Sequence, residues 1–178
     1  MSTSFTDMAD AVLGQDGDAF GLRYAVNHDS DSENSTAGAT AVWPLAFNRK
    51  MEADPSLLSA NDLSEHYPAV YIDPQGDFPT IVTRGKHGEC TFTAVIYVVG
   101  LQADGVTPKR SGRLLAAKVV ENIRKCSRLN LDWIDDVQIT GMPDDPFTKQ
   151  LHLLIPELCA GACKVVVTAK GLEWDDYV

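Results

Sequence analysis

The residues of this chain with the most chemical potential are four cysteines, four histidines and three pairs of adjacent aspartates. Cys159 and Cys163 form a C-x-x-x-C pair, and His152 lies seven residues upstream, so zinc binding is the first chemistry to consider. Structural zinc sites usually have four ligands, with close pairs at both ends of the motif. One loose pair favours buried structural thiols instead, and we predict no metal and no other cofactor.

The acidic pairs are Asp135–Asp136, Asp144–Asp145 and Asp175–Asp176. Adjacent side chains on a strand point to opposite faces, and divalent-metal sites need further oxygen ligands at defined spacings. No such spacing accompanies these pairs, so we interpret them as solvated carboxylates.

Nucleophilic and phosphate-binding motifs are missing from the sequence. It contains no G-x-S-x-G elbow and no G-x-x-x-x-G-K-[ST] loop, and Gly14, Gly17 and Gly21 do not follow a predicted strand. The remaining histidines are interpreted as surface residues: His28, His66 and His87. We therefore predict no catalytic residues and a protein that is not an enzyme.

Length and composition indicate a single soluble domain over residues 1–178, with 44% hydrophobic and 22% charged residues. No apolar run reaches the roughly 20 residues of a membrane helix, so no membrane association is predicted. The segment Met1–Asp10 has neither the basic nor the apolar part of a secretory signal. Cysteines among apolar residues are typical of a reducing cytoplasm.

The charge of the chain is strongly polarised. Its formal net charge is -10, which opposes general binding to nucleic acid. Seven basic residues and one acid fall between Lys109 and Arg128, so this stretch carries +6 and the remainder -16.

The N-terminal third is predicted to contain mixed elements. Capping and apolar spacing predict a short helix over Ser4–Leu13, and alternation predicts a strand over Phe20–Val26. The polar segment Asn27–Thr40 is predicted to be a mobile surface loop. Ala41–Met51 can form an edge strand interrupted by proline, and Asp54–Glu65 a connection with a helical turn or two.

From Tyr67 to Lys170 the order is strand, strand, helix, strand, strand. The first strand is predicted at Tyr67–Asp73, and a turn joins it to the segment Thr80–Arg84. The second, Cys90–Val99, is the longest and most central. After the helix, Val137–Thr140 and Lys164–Ala169 form strands. A further apolar run, Leu151–Ile155, is separated from the last strand by Pro156–Cys163.

The helix is predicted from about Lys109 to Leu129, with one apolar and one basic face. The buried stripe is Leu115, Val119 or Val120, Ile123 and Cys126, and the wet side carries Arg113, Lys118, Glu121, Asn122 and Lys125. The predicted class is thus α+β: a mostly antiparallel sheet packed against one long amphipathic helix, with a short N-terminal helix.

The basic face has two interpretations. One is an ordinary solvated surface; the other is a subunit interface that meets an acidic patch on a copy or a partner. The candidate interface residues are Lys109, Arg110, Arg113, Lys118, Arg124 and Lys125.

The order of elements and the phrase Tyr67-Pro68-Ala69-Val70-Tyr71-Ile72 resemble the tail terminator proteins of long-tailed bacteriophages. In that family an aromatic-Pro-Ala-Val strand is followed by a Thr- and Val-rich strand, a helix and a final strand. The likeness covers residues 67–171 best. The segments Phe20–Glu65 and Thr148–Ala162 exceed the family pattern and are interpreted as partner-specific insertions.

The resemblance implies a structural virion protein, assembled in the host cytoplasm. It would form a ring, usually a hexamer, that caps the tail tube, ends its polymerisation and joins it to the head connector. DNA would pass through an acidic lumen without specific binding, because like charges repel. The alternatives are another phage neck or head-completion adaptor, a monomeric binding module, or an enzyme whose site gathers His66 or His152 beside aspartates.

Overall fold

The computed structural model describes residues 5–15, 17–27, 41–42, 69–76, 78–84, 87–101, 108–141, 146 and 158–173. The helices within these ranges are α1 (Phe5–Leu13), α2 (Gly21–Asn27) and α3 (Pro108–Lys125). The strands are β1 (Ala41–Val42), β2 (Ala69–Pro74), β3 (Thr80–Arg84), β4 (His87–Leu101), β5 (Ile134–Gly141) and β6 (Leu158–Glu173). Several predicted segments lie outside the described residues: the loop beyond Asn27, the connection Asp54–Glu65 and the run Leu151–Ile155.

The strands form one sheet with β4 at its centre. The order is β1-β2-β4-β6-β5, and β6 pairs with β4 over nearly its whole length. The other side of β4 is shared by β2, which pairs with its C-terminal half, and β3, which pairs with its N-terminal end. The β1–β2 pair is parallel and the other described pairs are antiparallel. The mixed α+β class predicted from the sequence is present.

The hydrophobic core lies between one face of the sheet and the helices. Alternate residues of β4 point into it, as the two-residue period predicts: Phe92, Ala94, Ile96 and Val98 are all buried. α3 packs across β4 and β6 with Val119 and Ile123 in the same cluster. Full burial of such side chains contributes about 1.5–3 kcal/mol each, so this layer supplies much of the stability of the fold.

The segment predicted as a strand over Phe20–Val26 is a helix, so that prediction is wrong. Its buried side chains are Leu22, Ala25 and Val26, which follow the i, i+3, i+4 spacing of a helix face. In so short a segment, the spacing of the large residues fits both the period of a strand and that of a helix. Packing of α2 against α1 and α3 selects the helix.

Two glycines hold α1 and α2 close together. Gly14 ends α1 with φ +76°, and its N–H donates to the Asp10 carbonyl oxygen at 2.8 Å. A Cβ on Gly21, where φ is +86°, would lie 2.7 Å from the Ala11 carbonyl oxygen and 2.8 Å from backbone atoms of Gly14. These glycines serve a tight helix–helix turn, which requires positive φ and no side chain.

The last strand begins earlier than predicted. β6 spans Leu158–Glu173, so much of Pro156–Cys163, predicted to be a separator, is strand. β6 is also one residue longer than β4, which the sequence indicated as the longest strand. Small residues such as Ala160 and Gly161 weaken the sequence signal for a strand, but pairing with Val99 and Val98 of β4 extends it.

α3 ends at Lys125, four residues before the predicted boundary. Arg128, Leu129 and Asn130 then adopt positive φ values of 53°, 53° and 56° within the short turn Ser127–Asn130. Left-handed backbone disfavours residues other than glycine by about 1–2 kcal/mol each. Burial of Leu129 and a 3.1 Å hydrogen bond from Asn130 Nδ2 to the Ala19 carbonyl oxygen offset this cost.

Asn122 is buried, contrary to its predicted place on the wet side of the helix. Its side chain is only 2% exposed, and Nδ2 donates to the Val26 carbonyl oxygen at 3.1 Å. The angular position of Asn122 is between the buried stripe and the solvent, and α2 covers it there. The periodicity of α3 does not show that α2 packs beside Asn122, so it could not predict that this amide is buried.

Candidate subunit interface

All six candidate interface residues lie on α3. The helix directs Val119, Ile123 and the following Cys126 into the core, and the opposite side faces solvent. Arg113, Arg124 and Lys125 are exposed, and Lys118 is half-buried. Lys109 and Arg110 lie in the first turn, where their side chains are outside the described part of the chain. We call Arg113, Lys118 and Arg124 the basic surface.

The basic surface is weakly neutralised within the chain. Lys125 Nζ lies 3.3 Å from Glu121 Oε1, one turn earlier on the helix. No described acid lies within salt-bridge distance of Arg113, Lys118 or Arg124 themselves. Exposed ion pairs contribute about 0–1 kcal/mol to folding, and only Arg124 and Lys125 lie in the last turn, where the helix dipole favours cations. Folding stability therefore does not explain this concentration of positive charge.

Leu114 adds an apolar group to the same side of α3. It is 61% exposed, and it is the one large hydrophobic residue exposed to this degree among those the structure describes. Exposed Ala117 follows one turn later, so a partner can approach the helix closely there. A single exposed leucine is ordinary. Leu114, however, lies between the charged residues Arg113 and Lys118, and protein interfaces likewise have an apolar centre and a polar rim.

Sequence reasoning did not single out Leu114. The signal was present, because Leu114 lies off the Leu115, Val119 and Ile123 stripe and has nothing apolar one turn away except Ala117. The predicted stripe has the correct phase, but a single leucine off the stripe is ordinary in a helix and does not mark a site by itself.

The acidic residues around the start of β5 are exposed. Asp132 precedes the strand, and Asp135 and Asp136 lie at its beginning, where a bulge interrupts pairing with β6. Gln138 Nε2 donates to Asp136 Oδ2 at 2.9 Å. The other two acidic pairs, Asp144–Asp145 and Asp175–Asp176, lie outside the described residues.

The C-x-x-x-C pair lies within β6. A strand rise of about 3.3 Å per residue separates the Cα atoms of Cys159 and Cys163 by about 13 Å. Two thiolates on one zinc ion lie within about 5 Å of each other, so this pair cannot share one. No group of three potential metal ligands occurs in the described ranges, which do not include His152.

Three of the four cysteines, Cys90, Cys126 and Cys163, are free and buried in the core, as predicted for structural thiols. Burial raises the pKa of the Cys163 thiol to about 12 and that of Cys90 to about 11, and it also raises the pKa of Cys126. Elevated pKa values keep the thiols protonated and unreactive at neutral pH.

We expect stability to fall in alkali partly through Cys163. Its folded pKa is raised above the ordinary value of 9.0, so the unfolded chain loses this proton first and stability declines as pH rises above about 9. Between about pH 8 and about pH 11 the advantage of wild type over Cys163→Ala should narrow by roughly 2–3 kcal/mol. Urea unfolding of both proteins measures this change. For Val165→Ala, which removes a neighbouring buried side chain that does not titrate, the gap should stay constant.

The comparisons with known proteins leave the family open. No protein-family model matches the sequence, and no curated protein is detectably similar to it. Among the described helices none is long and apolar enough to cross a bilayer. Function must therefore be inferred from the order of elements and from the surface of α3.

Proposed function

We propose that this protein is a structural virion component that forms a ring, capping a phage tail tube and joining it to the head connector. The proposal includes the finer architecture expected of the family: one long amphipathic helix that covers a mostly antiparallel sheet and presents its outer face to a neighbouring subunit. The tail tube protein and the connector would be its partners in the virion, and no catalytic step is involved.

The observation that carries the proposal is the outer side of α3. It combines exposed Leu114, small Ala117 and the basic surface, in a chain whose remaining charge is strongly negative. A basic patch on an acidic molecule is complementary to another copy of that molecule, and complementary surfaces at different places on one subunit form a ring when the rotation between neighbours closes. The element order from β2 to β6 supports the choice of a tail terminator among ring proteins.

The first test is the mass of the purified protein and its appearance in the electron microscope. A hexameric ring has about six times the 19.3 kDa of the subunit and gives annular particles. A particle of one subunit at every concentration would instead support the alternative of a monomeric binding module.

The second test changes the basic surface. We expect Arg113→Glu with Lys118→Glu to weaken self-association by about tenfold to a hundredfold, because two attractive contacts become repulsive. Light scattering across a dilution series measures the effect. The control is Lys164→Glu, which reverses an exposed charge on β6, away from α3. Unchanged assembly of the α3 variant would show that this helix is not the interface.

A further inference from the structure

We infer that the basic surface of one subunit binds the acidic edge of the next, defined here as Asp132 and Asp136. This inference rests on the proposed ring and names the two surfaces that would meet in it. The occupant of the α3 surface is then a second copy of this chain, bound through the region where β5 begins.

Asp136 and the basic surface lie on opposite sides of the sheet. Val137 and Ile139 of β5 pack against the core, on the side that α3 covers. Asp136, Gln138 and Thr140 alternate with them and are exposed, so they point to the other side. Asp136 and the basic surface therefore cannot neutralise each other within one subunit.

Within the acidic edge, Asp136 is oriented by a neighbouring side chain. The donor that contacts Asp136 is the neutral amide of Gln138, at 2.9 Å, so the carboxylate is oriented without being neutralised. Asp132 is likewise exposed, and neither aspartate has a described cation within salt-bridge distance. Two carboxylates held at one end of an exposed strand complement the two or three cations of the basic surface.

The position of β5 also restricts how copies can associate. β5 is the last strand in the sheet order, and within the described chain it pairs only with β6. Symmetric, antiparallel pairing of β5 with β5 would set the two acidic ends at opposite ends of the seam and leave each of them without a cation. Contact with the basic surface supplies that cation. A contact between two different surfaces is head-to-tail, and head-to-tail contacts form a ring when the rotation between neighbours closes.

Charge exchange between two variants tests the pairing directly. The basic-surface variant carries Arg113→Glu and Lys118→Glu, and the acidic-edge variant carries Asp132→Lys and Asp136→Lys. Each variant alone places like charges at every contact, so each should associate at least about tenfold more weakly than wild type. An equimolar mixture pairs opposite charges at every contact and should recover oligomers with alternating subunits. Such a ring requires an even number of subunits, which six satisfies.

The measurements are light scattering for mass and native mass spectrometry for the ratio of the two variants in the oligomer. Circular dichroism checks that each variant is folded, and all four substituted side chains are exposed or half-buried. The control is Asp10→Lys, an exposed acid on α1, which should assemble like wild type.

The outcomes separate this inference from the proposed function. A 1:1 oligomer that forms only in the mixture supports the pairing. If wild type assembles but the acidic-edge variant assembles equally well, or if the mixture stays dissociated, the pairing is wrong while a ring remains possible through other surfaces. If wild type itself is monomeric at its highest soluble concentration and shows no rings by microscopy, both the ring and the pairing are wrong.

Discussion

Replacing Phe92 with alanine should lower the free energy of unfolding by about 3–5 kcal/mol. Phe92 is 1% exposed and lies on the core face of central strand β4. Its ring contacts Phe78 in an edge-to-face arrangement with centroids 5.2 Å apart, and Trp133 at 6.1 Å. Truncation leaves a cavity and removes both aromatic contacts, which themselves contribute about 0.5–1.5 kcal/mol each.

The measurement is urea or thermal unfolding followed by circular dichroism. For a chain of this size the loss corresponds to a fall in Tm of roughly 6–20 °C. Phe92→Leu fills most of the space and should cost distinctly less than Phe92→Ala. Thr93→Ala, at the next residue on the opposite face, should cost under about 1 kcal/mol. If Phe92→Ala and Thr93→Ala have equal effects, the assignment of the core face of β4 is wrong.

The central part of the sheet could be predicted because the residues of its strands follow the two-residue period of a strand clearly. The alternation in Cys90–Val99 correctly separates the buried face from the other face, because one face of a strand packs against a core. β2 and β3 were also recognised, although the sequence did not show that both pair along the same side of β4. Pairing over such distances in sequence depends on the whole sheet.

The elements that could not be predicted depend on neighbours distant in sequence. Phe20–Val26 fits both a strand and a helix, and packing of α2 against α1 and α3 decides between them. The left-handed turn after α3 places Leu129 in the core at a backbone cost that no propensity anticipates. Local sequence patterns show neither the packing of α2 against its neighbours nor the contacts that compensate the left-handed turn.

The candidate site was predictable in its charge but not in its detail. Counting charges located the basic residues on α3, since a run of +6 in an acidic chain is visible without any structure. Leu114, the apolar centre of that surface, is identified by its exposure in the structure. The acidic edge could not be recognised without the register of β5 against β6. That register sets Asp136 on the opposite side of the sheet from α3.

Asn122 is the site of the second large effect. Asn122→Asp should lower the free energy of unfolding by about 3–5 kcal/mol at neutral pH, because an unpaired charge is buried. The amide nitrogen that donates to the Val26 carbonyl oxygen is replaced by a carboxylate oxygen, which repels that carbonyl at a distance of about 3 Å. The substitution changes almost nothing in volume, so the loss measures the electrostatics of the α2–α3 contact.

The loss of unfolding free energy in Asn122→Asp should become smaller as the pH falls. Burial raises the folded pKa of the introduced carboxyl above its unfolded value, so the added destabilisation is complete only above the folded pKa and shrinks as the pH falls toward about 4. Below that value both states are protonated, and the carboxyl O–H can donate to the Val26 carbonyl oxygen as the amide does. Urea unfolding at several pH values measures the difference between the variant and wild type.

Asn130→Asp is the matched control for this experiment. Asn130 Nδ2 also donates to a backbone carbonyl oxygen of the N-terminal region, that of Ala19, at the same distance of 3.1 Å, but its side chain is exposed. Water can solvate the introduced carboxylate there, so we expect a loss of about 1 kcal/mol or less with little dependence on pH. Equal losses in the two variants would mean that α2 does not seal the Asn122 site from solvent, and that its amide acts only as one more exposed hydrogen bond.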